Sequence, residues 1–162
     1  MNVSSRKYEP SSEFLKSLVE RREPLGDDPP DRQALARLIG MTRHEDAINR
    51  DWATFLLRQQ GIDTPEVRRA LLAAARDNDP NVRAEAILGL AELDPAIALP
   101  FVRKALASDS ASPPIFEAAT IIAHCSLVED LRAFSEPSGN EYLDALATKA
   151  LTACIEGNRN PE

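Results

Sequence analysis

A chain of 162 residues suffices for one domain, whose core buries roughly two-thirds of the surface the unfolded chain exposes. Hydrophobic residues make up 43% of it but aromatics only 5%, and there are 6 glycines, so the core must be aliphatic and alanine-rich. The formal net charge of −7 disfavours a nucleic-acid partner, and Cys125 and Cys154 are too few and too distant for a disulfide scaffold or a metal motif.

Residues 1–12 are polar and read as a flexible tail. No apolar run follows Arg6 and Lys7, and no stretch approaches the roughly 18 consecutive apolar residues of a membrane span. The expected setting is therefore cytoplasmic, with no membrane partner. Glu13 to Arg22 reads as a short helix capped by Ser12, with Phe14, Leu15, Leu18 and Val19 as its apolar stripe. Residues 23–30, with prolines at 24, 29 and 30, read as a linker, because proline removes a donor and pushes the residue before it out of helical space.

From Asp31 the chain is periodic in helices, and it resembles itself at a shift of 33 residues. The window Asp79-Pro80-Asn81-Val82-Arg83-Ala84-Glu85-Ala86 aligns backward with the window from Asp46 to Ala53 and forward with the window from Ser112 to Ala119. Each opens on a capping residue and places an alanine, Ala53, Ala86 or Ala119, at its eighth position. A small residue there lets a partner helix approach closely. Partner helices are expected over Asp31 to Met41, from Thr64-Pro65 to about Arg76, and from Asp94-Pro95 through Leu106, the last bent or starting late because of Pro100. Ser126 is expected to cap a helix from Leu127 to Phe134, and a last helix to run from Glu141 to Ile155 before a polar tail at 156–162. Nothing alternates with period 2.

At these residues the chain resembles the HEAT repeat family, particularly its bacterial HEAT and phycobilin-lyase-type repeats. The segment from Asp77 to Ala91 is similar to the family's turn and second helix, and Leu93-Asp94-Pro95-Ala96 to the start of the next repeat. Arg50 and Arg83 hold the family's arginine position, while Phe116 replaces it in the third window. The resemblance implies an all-α fold, a short right-handed α-solenoid (α-α superhelix) of about three to four HEAT-like helix pairs over 31–155. It also implies a concave face that binds a macromolecule, without fixing a chemistry.

In that arrangement the second helix of each pair lines the concave side. The expected partner-binding strip is Asp51, Trp52, Phe55 and Gln59 from the first window, Glu85, Leu88 and Glu92 from the second, and Glu117 and Ile121 from the third. Trp52 and Phe55 would anchor a partner; packing under the linker against the N-terminal helix competes with that role. The acidic members compete with a solvated surface. Arg68, Arg69, Arg76, Arg103 and Lys104 read as intrahelical ion-pair partners and helix-end charges. His44, beside Glu45 and Asp46, and His124, beside Cys125, lack second ligands or facing partners at usable spacing.

With no Gly-rich phosphate loop, Gly-x-Ser-x-Gly elbow, zinc pattern or Cys-x-x-Cys in the sequence, no catalytic residue, metal or cofactor is assigned. The leading expectation is a non-catalytic adaptor or regulator holding a protein or peptide. An immunity-type inhibitor of a basic toxin or enzyme stands as one alternative, and an enzyme like the HEAT-like DNA glycosylases or lyases, with Trp52 and Asp51 in its site, as another. The N-terminal helix could cap the stack or swap onto a second copy to form a homo-oligomer.

Overall fold

Among the described residues, five helices open on one signal, a capping residue followed by proline. The pairs are Asp28-Pro29, Thr64-Pro65, Asp79-Pro80, Asp94-Pro95 and Ser112-Pro113. Proline at the first helical position sacrifices only an N–H that has no intrahelical acceptor, and the residue before it supplies a side-chain oxygen. Asp28 Oδ1 accepts from the Asp31 N–H at 2.8 Å, Asp79 Oδ1 from Asn81 at 2.8 Å, and Asp94 Oδ1 from Ala96 at 3.1 Å. Ser112 makes no such bond.

The computed structural model describes residues 8–21, 23–108 and 111–157, and over these the chain is all-α. The elements are α1 (Glu13–Glu20), α2 (Pro29–Met41), α3 (Ala47–Gln59), α4 (Pro65–Ala74), α5 (Pro80–Leu93), α6 (Pro95–Leu106), α7 (Pro113–Ile122), a 3-10 turn (Cys125–Leu127), α8 (Val128–Arg132) and α9 (Glu141–Gly157). The fold class is the short HEAT-like α-solenoid, and its residues fall into two units, 1–70 and 71–162, with the boundary inside α4.

In the first unit α3 packs against α1 and α2. Leu15, Leu38 and Leu57 are at most 1% exposed, and burying such side chains is worth about 1.5–3 kcal/mol each. The expectation of a flexible tail over 1–12 is corrected for residues 8–12, which are docked; residues 1–7 lie outside the described residues, as does Arg22. Pro10 is buried, the Tyr8 hydroxyl donates to Asp51 Oδ2 at 2.6 Å, and buried Asn49 accepts from the Ser12 N–H at 3.2 Å while donating to Ser11 Oγ at 2.9 Å. The Pro-rich linker is likewise pinned. Leu25 is buried and donates its N–H to Gln60 Oε1 at 2.7 Å, and Arg21 clasps Asp31 through two bonds of 2.7 Å. The N-terminal helix thus folds onto α3 of its own chain.

In the second unit α5 packs against both α6 and α7, and α7 packs against α9. Its sequence explains the central place of α5: Val82, Ala84 and every residue from Ala86 to Ala91 are buried, and a helix apolar nearly all round must be enclosed. The recurring alanines Ala53, Ala86 and Ala119 are each 0% exposed. Across Pro100, α6 runs unbroken from Pro95, so the helix does not start late. The cap expected at Ser126 is supplied instead by His124, whose Nδ1 accepts from the Ser126 N–H at 3.1 Å. A 3-10 turn then precedes a shorter α8. Ala123 ends α7 in the left-handed region, at φ 47°. The last turn of α9 abuts it so closely that a Cβ on Gly157 would clash with the Ala123 carbonyl oxygen. The expected end of that helix at Ile155 is therefore extended by two residues, and of the expected tail only 158–162 lies outside the described residues.

Candidate partner-binding site

Of the residues expected on the strip, Asp51, Trp52, Phe55 and Gln59 all come from α3, in the first unit. They lie on one face because positions three, four and seven apart on a helix are neighbours. Trp52 and Phe55 form an edge-to-face pair with ring centroids 5.7 Å apart and planes at 83°, a geometry worth about 0.5–1.5 kcal/mol beyond burial. Arg58 continues the row, with its guanidinium carbon 5.5 Å from the centre of the Phe55 ring.

Both readings of these aromatics meet in one feature. They do pack toward α1 and the linker, yet they are only half-buried, and a groove of about 600 Å³ remains between them and Leu18, Val19 and Pro24. Gln59 lines the same groove; Asp51 does not, being engaged by Tyr8. Val19 is 47% exposed at the rim. The indole Nε1 of Trp52 is buried without a hydrogen-bond partner, and an unsatisfied buried donor costs about 1–3 kcal/mol. The apolar wall from α1 is the packing under the linker that the sequence offered as the competing role for these aromatics. Its stripe was legible, but its meeting with α3 depends on the linker being strapped down at Leu25 and Asp31. Asp31 is held below the usual carboxylate range, first by hydrogen bonds from the Arg21 guanidinium and then by the Gly26 N–H.

The remaining strip residues belong to the second unit, on α5 and α7. Glu92 is exposed, Glu85 and Glu117 are half-buried, and Ile121 is 43% exposed. Leu88 requires a correction: at 2% exposure it is core and cannot serve as an open anchor. α5 is enclosed on more than one side, so the simple inward-outward division of its faces fails there.

His44 has a structural role, its Nδ1 accepting from the Asp46 N–H at 3.0 Å at the start of α3. Cys154 is 0% exposed, its thiol pKa pushed up by burial, and its Sγ donates to the Ala119 carbonyl at 3.6 Å. Of the cations on the first helices of pairs, Arg68 meets Asp63 at 2.6 Å, Arg69 meets Glu66 at 2.8 Å and Arg103 meets Asp130 at 3.8 Å. Arg68 holds Asp63 below its ordinary range by direct hydrogen bonding. Among the described residues no group of three or more His, Cys, Asp or Glu is placed to hold a metal ion, and no helix is long and apolar enough to cross a membrane.

Comparison with known proteins agrees with this architecture. The family model described as HEAT repeats matches residues 15–123. The crystal structure of YibA from Escherichia coli superposes with a TM-score of 0.59 at 19% sequence identity, over 86% of this chain and 54% of that one. This chain thus spans about half the length of YibA, and at that identity the likeness is one of fold. No curated protein matches the sequence.

Proposed function

This chain belongs to the HEAT-repeat family, and on that premise we propose that it is a non-catalytic binding module that holds a protein or peptide partner. The observation that carries the reading is the α1–α3 groove of about 600 Å³, where Trp52 and Phe55 meet Leu18 and Val19 and where Arg21, Glu23 and Gln59 add polar groups to the lining. Repeat modules of this kind meet their partners on extended surfaces formed by stacked helix pairs, and on α3 the half-buried aromatics remain partly open. The two aromatics in its lining suit an apolar side chain from the partner. Gln59 at the edge supplies polar contact.

The partner is to be captured from the native cell on the tagged full chain, identified, and titrated calorimetrically. Trp52→Ala should weaken binding by about 2 kcal/mol, roughly thirtyfold in Kd, with the far-ultraviolet helical signal and unfolding midpoint largely kept. Trp52→Phe, which removes the indole N–H and keeps an aromatic ring, should fall in between. An unchanged Kd in Trp52→Ala would place the partner elsewhere. Collapse of the helical signal in both variants would make Trp52 a core residue and end the proposal for this groove.

A further inference from the structure

The second unit holds a cleft of about 530 Å³ between α5, α6 and the turn that follows α4. Its apolar floor is half-buried Phe101 with Ala105 beside it, over the core residues Ala75 and Ile87. Around that floor stand Arg76, Arg83 and Lys104, against the single carboxylate of Asp77. The grouping follows from helix geometry: Arg83 and Ile87 are four apart on α5, and Phe101 and Lys104 three apart on α6, so each pair shares a face.

In a chain of net charge −7, three cations converging on one cleft run against the mean field. Their states differ. Arg83 is half-buried and committed, its Nη1 donating to the carbonyls of Asp77 at 2.8 Å and Asn78 at 2.9 Å, which fixes the turn. Arg76 lies with its guanidinium carbon 5.0 Å from the centre of the Phe101 ring and donates to the Leu72 carbonyl at 2.7 Å. That pose holds the planar fork in place and leaves donors on its far side. Neither Arg76 nor Lys104 has a carboxylate partner among the described residues, whereas Arg68, Arg69 and Arg103 each have one.

We propose that this cleft binds a peptide segment presenting a glutamate or aspartate side chain beside an apolar residue, the carboxylate held by Arg76 and Lys104 and the apolar group seated on Phe101. A guanidinium fork recognises a carboxylate through paired hydrogen bonds, and a lysine adds a point charge. The apolar floor favours an amphipathic peptide over a free inorganic anion, which would gain nothing from Phe101. The net negative charge likewise favours a ligand with one local carboxylate over a nucleic-acid polyanion. This site is independent of the α1–α3 groove, and substitutions at Trp52 should leave it intact.

The test is residue-resolved amide NMR on the full chain, titrated with four probes: acetyl-Phe-Glu-Leu-amide, its Gln counterpart, acetyl-Phe-Gln-Leu with a free C-terminus, and inorganic phosphate. The Glu peptide should shift the resonances of Arg76, Phe101 and Lys104 saturably and bind at least about fivefold more tightly than the Gln amide. That preference should shrink in Lys104→Gln and vanish in Arg76→Gln with Lys104→Gln. Both side chains are exposed, and the amide spectrum of each variant reports whether the fold is kept. Should the double substitution unfold the chain, Lys104→Gln alone decides: a reduced preference supports the proposal and an unchanged one overturns it. Equal binding of the Glu and Gln amides, or shifts confined to other residues, would overturn the proposal. So would phosphate binding as tightly as the Glu peptide, or the free C-terminus substituting fully for the side-chain carboxylate.

Discussion

Replacing Ala86 with leucine tests the packing on which the fold rests. Ala86 is 0% exposed on the enclosed helix α5, and protein interiors are filled to a density of about 0.74, so three added carbons find no vacant volume. Overpacking of this kind costs about 1–3 kcal/mol even though the added surface is apolar. For a chain of this size each kcal/mol moves the thermal midpoint by about 2–4 °C, which puts Ala86→Leu roughly 2–12 °C below the parent. Ala53 and Ala119 are also 0% exposed, so Ala53→Leu and Ala119→Leu should fall in the same range. Ala36, exposed on α2, is the control, and Ala36→Leu should lie within about 0.5 kcal/mol of the parent. Urea and thermal unfolding followed by circular dichroism at 222 nm would measure all four. If Ala86→Leu proved as stable as Ala36→Leu, the close alanine seam would be refuted. If Ala86→Leu were costly and Ala119→Leu neutral, the 33-residue correspondence would not be a structural one.

Because Asp31 has its folded-state pKa lowered by Arg21 and the Gly26 N–H, its clasp contributes stability that is fully present above the unfolded value near 3.9 and is lost as pH falls through the folded value. The gap in urea midpoint between the parent and Asp31→Asn should therefore be full at pH 7 and shrink below about pH 4; a gap that stays constant down to pH 2 would contradict this. Ala123→Gly should raise stability by about 0.5–1 kcal/mol, since a left-handed alanine costs about 1–2 kcal/mol and glycine's extra unfolded-state entropy returns part of it; a lowered thermal midpoint would show that the Ala123 methyl matters more than its φ. Cys125 is exposed and Cys154 buried with a raised thiol pKa, so a maleimide should label one thiol in the native protein and two in urea. Rapid native labelling of both would mean that the α7–α9 contact opens readily.

Local signals carried most of the secondary structure. A capping side chain followed by proline fixes where a helix begins, because both act on N–H groups within one turn. Helix starts at Pro80 and Pro95 were therefore legible from a few neighbouring residues. The ends were less so. His124 took the cap expected of Ser126 because its side chain closes the turn after Ala123, a left-handed residue that no sequence preference announced. Pro100 also misled in part: its lost N–H was readable, but the packing of α6 on α5 and α7, which keeps the helix continuous, was not.

By itself the sequence determined an all-α chain of helix pairs with small residues at the seams, because periodicity and capping are encoded within about one turn of each residue. It also singled out Trp52, Phe55 and Gln59 as neighbours on one helix face. Only tertiary structure decided that α1 and a pinned linker complete a groove over them, that Leu88 is core, and that Arg76 and Lys104 gather around Phe101. Each of those depends on contacts between segments distant along the chain, and the direction in which a side chain is covered belongs to its neighbours as much as to its own helix.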